Sequence, residues 1–147
     1  MIGERAAVLA RGWIGTPYLH QHSTKGAGTD CLGLLRGVWR ELYGAEPEPV
    51  PAYTADWSEP AHEERLWAGA RRHLIALPGR EPEAVGEVLL FRMRDGGVAK
   101  HLGLVGQVGR QASFIHAYSG HAVVESPLSA PWRRRIVARF RFPEGAM

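Results

Sequence analysis

The segment Thr29-Asp30-Cys31-Leu32-Gly33 carries the only cysteine of the 147-residue chain, at the start of a helical pattern. A thiol in that place lies where free backbone N–H groups and the positive end of the helix dipole favour its anion. Cys31, Leu34, Leu35, Val38 and Leu42 recur at helical spacing, so the sulfur is expected to point toward the core. Asp30 is suited to cap the helix by accepting the N–H of Leu32 or Gly33. Taken alone, the pattern favours an inert buried cysteine on an ordinary core helix. His101 and His116 change that. If Lys100 to Tyr118 forms a hairpin turning at Gly109-Arg110, Gly103 lies opposite His116 and His101 opposite Tyr118. Period-two alternation then sets His101 and His116 on one face as diagonal neighbours. Gly103 between them has no side chain and leaves room for an imidazole. Where that face receives the Cys31 helix, a thiol, a base and a third polar group line up as nucleophilic catalysis requires.

Other polar residues carry weaker signals. His20 and His22 form a His-x-His pair that could ligate a metal, but no second cluster shows metal spacing, which favours a solvated loop. His62, His73 and His121 are assigned to surfaces. Tyr18 follows Pro17 and can aim its hydroxyl at a cleft.

The elements that must hold these residues divide the chain in two. Residues 2–12 show an amphipathic helix with Ile2, Ala6, Leu9 and Trp13 inward, ended by Gly15-Thr16-Pro17. A polar loop spans Tyr18 to Gly28. The Cys31 helix is predicted to run to about Tyr43 and stop at Gly44. Residues 45–57 contain Pro47, Pro49 and Pro51 and read as an extended surface segment. Ser58 can cap a third helix from about Glu59 to Leu74, with Leu66, Trp67, Ala70 and Leu74 as its buried stripe. Strands are predicted over Gly86–Arg92, Lys100–Gln107, Gln111–Tyr118, His121–Glu125 and Arg135–Phe142. In the last, Arg135, Val137, Arg139 and Arg141 alternate with Ile136, Ala138, Phe140 and Phe142, giving one solvated face. Helices followed by strands predict one α+β domain over 1–147. Its helical half covers about 1–78 and its sheet half about 84–143, with the helices on one face of an antiparallel sheet.

Composition narrows the function classes. One cysteine excludes an internal disulfide, and the length suffices for a core without staples. No apolar run approaches membrane-spanning length and no leader pattern opens the chain, so membrane insertion is not expected. A formal net charge of +3, with arginines gathered at 133–141, is too weak a footprint for a nucleic-acid reader.

Five motifs occur in a recognisable order: Trp13-x-Gly15-Thr16-Pro17-Tyr18; Asp30-Cys31-Leu32-Gly33-Leu34; Gly86-Glu87-Val88-Leu89-Leu90-Phe91; His101-Leu102-Gly103-Leu104-Val105; and Phe114-Ile115-His116-Ala117. Across nearly the whole chain they resemble the NlpC/P60-type papain-like peptidases that cut bacterial cell-wall peptides. The stretch from Gly33 to Arg40 and the His-Gln-His loop are similar to small phage-type members found with tail genes of prophages and gene transfer agents. The resemblance implies Cys31 as nucleophile, His101 as general base and His116 as the orienting third residue. It also implies Tyr18 and the Cys31 N–H at the oxyanion, with Asp30 beside the substrate, and neither metal nor organic cofactor. Cys31 is expected to be partly thiolate, favoured by the helix N-terminus and by a charged His101. The implied substrate is the peptidoglycan stem peptide, at the bond between D-γ-glutamate and diaminopimelate. The implied partners are tail hub or baseplate proteins that carry a leaderless chain to the envelope. Leu32 stands where the family often has Ser, and the loop Leu19 to Thr29 replaces a common Gly-Gly pair, which bears on fine specificity. Two alternatives stay open: a structural tail component without activity, and a thiol amidase or acyltransferase acting on a small substrate.

Overall fold

The computed structural model describes residues 1–53, 57, 61–78 and 82–144. Its organising helix is α2, Cys31–Tyr43, which begins and ends where its sequence says it must. Asp30 caps it by accepting the Gly33 N–H at 2.7 Å. Gly44 ends it at φ 94°, a left-handed conformation that a side chain would resist. Helix α1, Ile2–Arg11, lies across α2 with Ala6, Ala7 and Ala10 buried, and Trp13 just beyond it is buried too. The crossing is close because Gly37 has no Cβ: one would lie 2.0 Å from Cζ2 of Trp13. Helix α3 covers Arg65–His73, shorter than the span predicted from about Glu59. The predicted cap Ser58 and the residues Glu59 and Gly79 fall outside the described residues.

The remaining elements form two sheets. Strands β1 (Ser23–Thr24) and β2 (Gly28–Thr29) make a small antiparallel hairpin inside what the sequence presents as a polar loop. The main sheet contains β3 (Ile75–Ala76), β4 (Val88–Arg92), β5 (Ala99–Gln107), β6 (Ser113–Ala117), β7 (Val123–Pro127) and β8 (Ile136–Arg141). Its order is β3-β8-β4-β5-β6-β7, antiparallel throughout. A single helical turn, α4 (Ala130–Arg133), precedes β8. The architecture is α+β with the main helices on one face of an antiparallel sheet, as expected from the element order.

Alternation along the strands builds two cores. Val88, Leu90, Leu102, Leu104 and Ile115 face α1 and α2 and join their buried residues. Leu89, Phe91, Val105 and Phe114 face the other way, where Leu128 and Trp132 of the α4 region cover them. The arginine pattern of β8 does not give a fully solvated face. Arg139 is buried, and its guanidinium grips the equally buried Glu87 of the turn before β4, with Nε to Oε1 at 2.9 Å and Nη2 to Oε2 at 3.0 Å. Two opposite charges desolvated together in a bidentate pair are tolerable where either alone would be costly.

The described part of the proline-rich segment, residues 45–53, runs beside α2. Glu46 binds Arg36 and Arg40, and the Ala45 carbonyl accepts the Trp39 indole N–H. An apolar cleft of about 440 Å³ lies between this segment, α2 and α3, walled by Leu35, Trp39, Pro47, Pro51 and Leu66. It reaches Leu32 and Leu102, the residues that follow Cys31 and His101. Among the described residues no helix is long and apolar enough to cross a membrane.

Candidate active site

Cys31 opens α2 and is 6% exposed. Asp30 fixes that helix start with both carboxylate oxygens. Oδ1 takes the Gly33 N–H, while Oδ2 takes the Gln21 N–H at 2.7 Å and the Tyr53 hydroxyl. His20 Nδ1 stands 3.7 Å from the same oxygen. Asp30 is 2% exposed, and these hydrogen bonds make it an anchor for the start of α2.

The sulfur meets the sheet at its backbone. The β5–β6 ladder pairs Leu104 with Ile115 and Val105 with Phe114, and then ends at Gln107 with Ser113. Before Leu104 the edge of β5 is met by α2, whose Cys31 Sγ–H donates to the Lys100 carbonyl at 4.0 Å. The Leu102 N–H points at the sulfur from the other side of His101, as do the N–H groups of Leu32 and Cys31. Cys31 thus lies against the two peptides that flank His101.

The hairpin register is the one the sequence suggested: continuing the Leu104–Ile115 pairing by one residue sets Gly103 opposite His116. A Cβ on Gly103 would stand 3.1 Å from that of His116, so the glycine is what lets the imidazoles close. His101 Nε2 and His116 Nδ1 are 2.8 Å apart, and His116 Nε2 is 2.9 Å from Ser126 Oγ. The face is not the expected one. His101 and His116 project away from α2, into the second core, where their rings meet those of Phe91, Phe114 and Trp132. The thiol meets β5 from the helix side, at the Lys100 carbonyl and the Leu102 N–H that flank His101.

Burial sets the protonation states. It pushes the Cys31 thiol up to about 12, the Asp30 charge adds to that, and the three backbone N–H groups offset it only partly. His101 is pushed down to about 3 by burial and then by His116; His116 falls to about 4 by burial and then by His121. The resting pair is therefore a neutral thiol and a neutral imidazole, not the thiolate and charged histidine expected from the helix dipole. Desolvation outweighs the dipole here. Tyr18, half-buried, is raised to about 12 by burial, with the Cys31 and Asp30 charges adding, and so keeps its hydroxyl proton.

The other predicted residues go elsewhere. His20 Nε2 bonds the Tyr53 carbonyl at 3.0 Å and His22 Nδ1 the His20 carbonyl at 3.0 Å, inside their own loop. His73 pairs with Glu48 at 2.7 Å, and His62 and His121 are exposed. Among the described residues no group of three or more potential ligands is placed to hold a metal. Three site neighbours escape sequence reading. Tyr53 lies in the proline-rich segment, with nothing local to mark it. Ser126 falls one residue beyond the predicted fourth strand, and continuing that alternation from His116 would have found it. Trp132 comes from α4, a single helical turn too short to leave a periodic signal.

No protein-family model and no curated protein matches the sequence. Solved structures do match. NlpC2 from Trichomonas vaginalis superposes with a TM-score of 0.64 at 21% identity, over 96% of this chain and 46% of that one. The NlpC/p60 domain of the peptidoglycan hydrolase SagA gives 0.56 at 17% identity, over 95% and 98%. The chain has the NlpC/P60 fold. An NlpC/P60 family protein from Bacillus cereus adds a TM-score of 0.65 at 15% identity, over 95% of this chain and 40% of that one. The chain thus spans less than half the length of the Trichomonas and Bacillus proteins and nearly all of the SagA domain. What it shares with these NlpC/P60 structures is the α+β arrangement of helices and sheet.

Proposed function

We propose that the chain is a cysteine peptidase of the NlpC/P60 type that hydrolyses an amide bond in the peptidoglycan stem peptide, between D-γ-glutamate and diaminopimelate. One observation carries the reading: a lone cysteine at a helix start lies against the strand peptides flanking His101, whose imidazole is hydrogen-bonded to His116. The NlpC/P60 fold and the peptidoglycan hydrolase among the similar structures support the substrate class.

In this scheme, neutral His101 takes the Cys31 proton as sulfur attacks the scissile carbonyl, so no standing thiolate is required. The ring nitrogen available for this is Nδ1, since Nε2 is engaged by His116. The developing oxyanion is met by the Cys31 N–H and the protonated Tyr18 hydroxyl. The imidazolium then protonates the leaving amine, and water, activated by the same imidazole, releases the acyl-enzyme. The reading extends to a phage-like tail component bound to hub or baseplate proteins and delivered with them to the envelope. Its support is the likeness of the Gly33–Arg40 stretch and the His-Gln-His loop to such enzymes.

The test is digestion of purified peptidoglycan by wild type beside Cys31→Ala, with fragments identified by mass spectrometry. New stem-peptide fragments from wild type, with release reduced at least a thousandfold in Cys31→Ala, are expected for a nucleophile of this kind. Equal release from both, or none from wild type, overturns the reading. Co-sedimentation of the chain with tail particles tests the delivery role.

A further inference from the structure

His101, His116 and Ser126 stand on three neighbouring strands, β5, β6 and β7, on the sheet face turned away from α2. Phe114 pairs with Ser126 and His116 with Val124, which makes His116 and Ser126 diagonal neighbours on that face. The distances form a chain: His101 Nε2 to His116 Nδ1 at 2.8 Å, then His116 Nε2 to Ser126 Oγ at 2.9 Å. A neutral imidazole carries one ring proton, so each link has one donor and one acceptor. Two orders are possible. If the Ser126 hydroxyl donates to His116, His116 must donate to His101, and the His101 proton is forced onto Nδ1. That imidazole cannot accept a thiol proton at Nδ1. If Ser126 accepts from His116 Nε2–H, His116 Nδ1 accepts from His101 Nε2–H, and the His101 Nδ1 lone pair is free.

We propose that Ser126 is a positioning residue that holds the His101–His116 pair in the base-competent proton order by accepting from His116. This rests on the peptidase reading, in which His101 is the base. A serine suits the task because its oxygen accepts while its own proton turns elsewhere. Ser126 is half-buried and lines an open polar depression with Gln107, Gln111 and Ser129, where that proton can be given to water. The faces and edges of the two imidazoles pack against the rings of Phe91, Phe114, Tyr118 and Trp132. Among the described residues, Ser126 is the side chain hydrogen-bonded to this pair from outside it, and the order can be set through that bond. The third residue orients the base, and the fourth sets which nitrogen of the third is protonated.

The test combines ring ¹⁵N chemical shifts of labelled histidine, which report the tautomer, with peptidoglycan digestion and alkylation of Cys31 by iodoacetamide. In wild type His101 and His116 are both expected to carry their protons on Nε2. Ser126→Ala is expected to move His116 toward the Nδ1–H form and to lower kcat about tenfold, the scale of one lost hydrogen bond to a reacting pair, with KM little changed. Ser126→Thr is expected to restore both readouts. Should Ser126→Ala fail to fold, the near-isosteric Ser126→Thr and Ser126→Val give the same comparison. A wild-type His101 protonated on Nδ1, or a Ser126→Ala chain with unchanged tautomers and rate, overturns the proposal. Absence of stem-peptide fragments from wild type sinks the peptidase reading instead, and the tautomer measurement still decides the role of Ser126.

Discussion

At Cys31 two effects of the same helix oppose each other. Opening α2 gives the sulfur free N–H groups, yet the packing that places it there removes the water that would stabilise an anion. The balance falls on the neutral side, with the thiol raised to about 12 and His101 lowered to about 3. A thiol of this kind reacts only through its small thiolate fraction. The rate of alkylation by iodoacetamide is therefore expected to climb close to tenfold per pH unit between pH 7 and 9. A plateau already reached below pH 6 would instead reveal a resting thiolate–imidazolium pair. Asp30 adds to the upward shift, so Asp30→Asn is expected to speed alkylation several-fold at pH 7.5. Asp30→Ala also removes the acceptor of the Gly33 and Gln21 N–H groups and the Tyr53 hydroxyl, and is expected to cost about 2–4 kcal/mol, read from urea midpoints. Sequence made the helix cap and the cysteine legible because both are local. It did not reveal the burial of the thiol, because that depends on how closely α2 meets the edge of β5.

The helices and strands were legible to the extent that their causes are local. Asp30 and Gly44 bracket α2, and alternation gave the β5–β6 pairing beside the site. A bulge between Val105 and Gln107 and a 3-10 turn over Gly109–Gln111 nevertheless stand where a tight turn at Gly109-Arg110 was expected. The face on which the histidines project was not legible, since alternation says which residues share a face but not which face a helix will cover. The β1–β2 hairpin and β3, two residues per strand, are too short to leave a periodic signal. The α1–α2 crossing is legible only in three dimensions, where Gly37 admits the Trp13 ring. Gly37→Ala would gain about 1 kcal/mol of helix propensity but force a methyl onto Cζ2 of Trp13, an overpacking that costs about 1–3 kcal/mol. A net loss of up to about 2 kcal/mol in urea unfolding is expected. Trp13→Phe removes the clashing atoms, so in a double-mutant cycle the pair should lose less than the sum of the single changes. Strict additivity would place the contact elsewhere.

For the molecule as a whole, the site is built by carrying two ionisable rings into the second core. His101 is 6% exposed and His116 1%, on a sheet face closed by Trp132 and its aromatic neighbours. Both rings are neutral in the fold down to about pH 4, whereas in the unfolded chain a histidine takes up a proton near pH 6.5. The unfolded state thus binds more protons, and stability must rise with pH. The contribution is fully present above about pH 7. It is lost as pH falls through 6.5 toward the folded values of about 4 and 3. At pH 5 the loss for His101 is on the order of 1–2 kcal/mol, and unfolding should take up about two protons from this pair. Glu125, held below the usual carboxylate range by its hydrogen bond from Arg11, adds a slope of the same sign toward lower pH, so the imidazole share is read from the difference between wild type and the double histidine variant. Urea unfolding from pH 5 to 7.5 should give a rising stability in wild type and a flatter one in His101→Gln/His116→Gln. An equal slope in both chains would mean that the imidazoles are hydrated in the fold. The same burial that keeps His101 unprotonated, and so able to accept the thiol proton, would then be absent, and the catalytic scheme would lose its base.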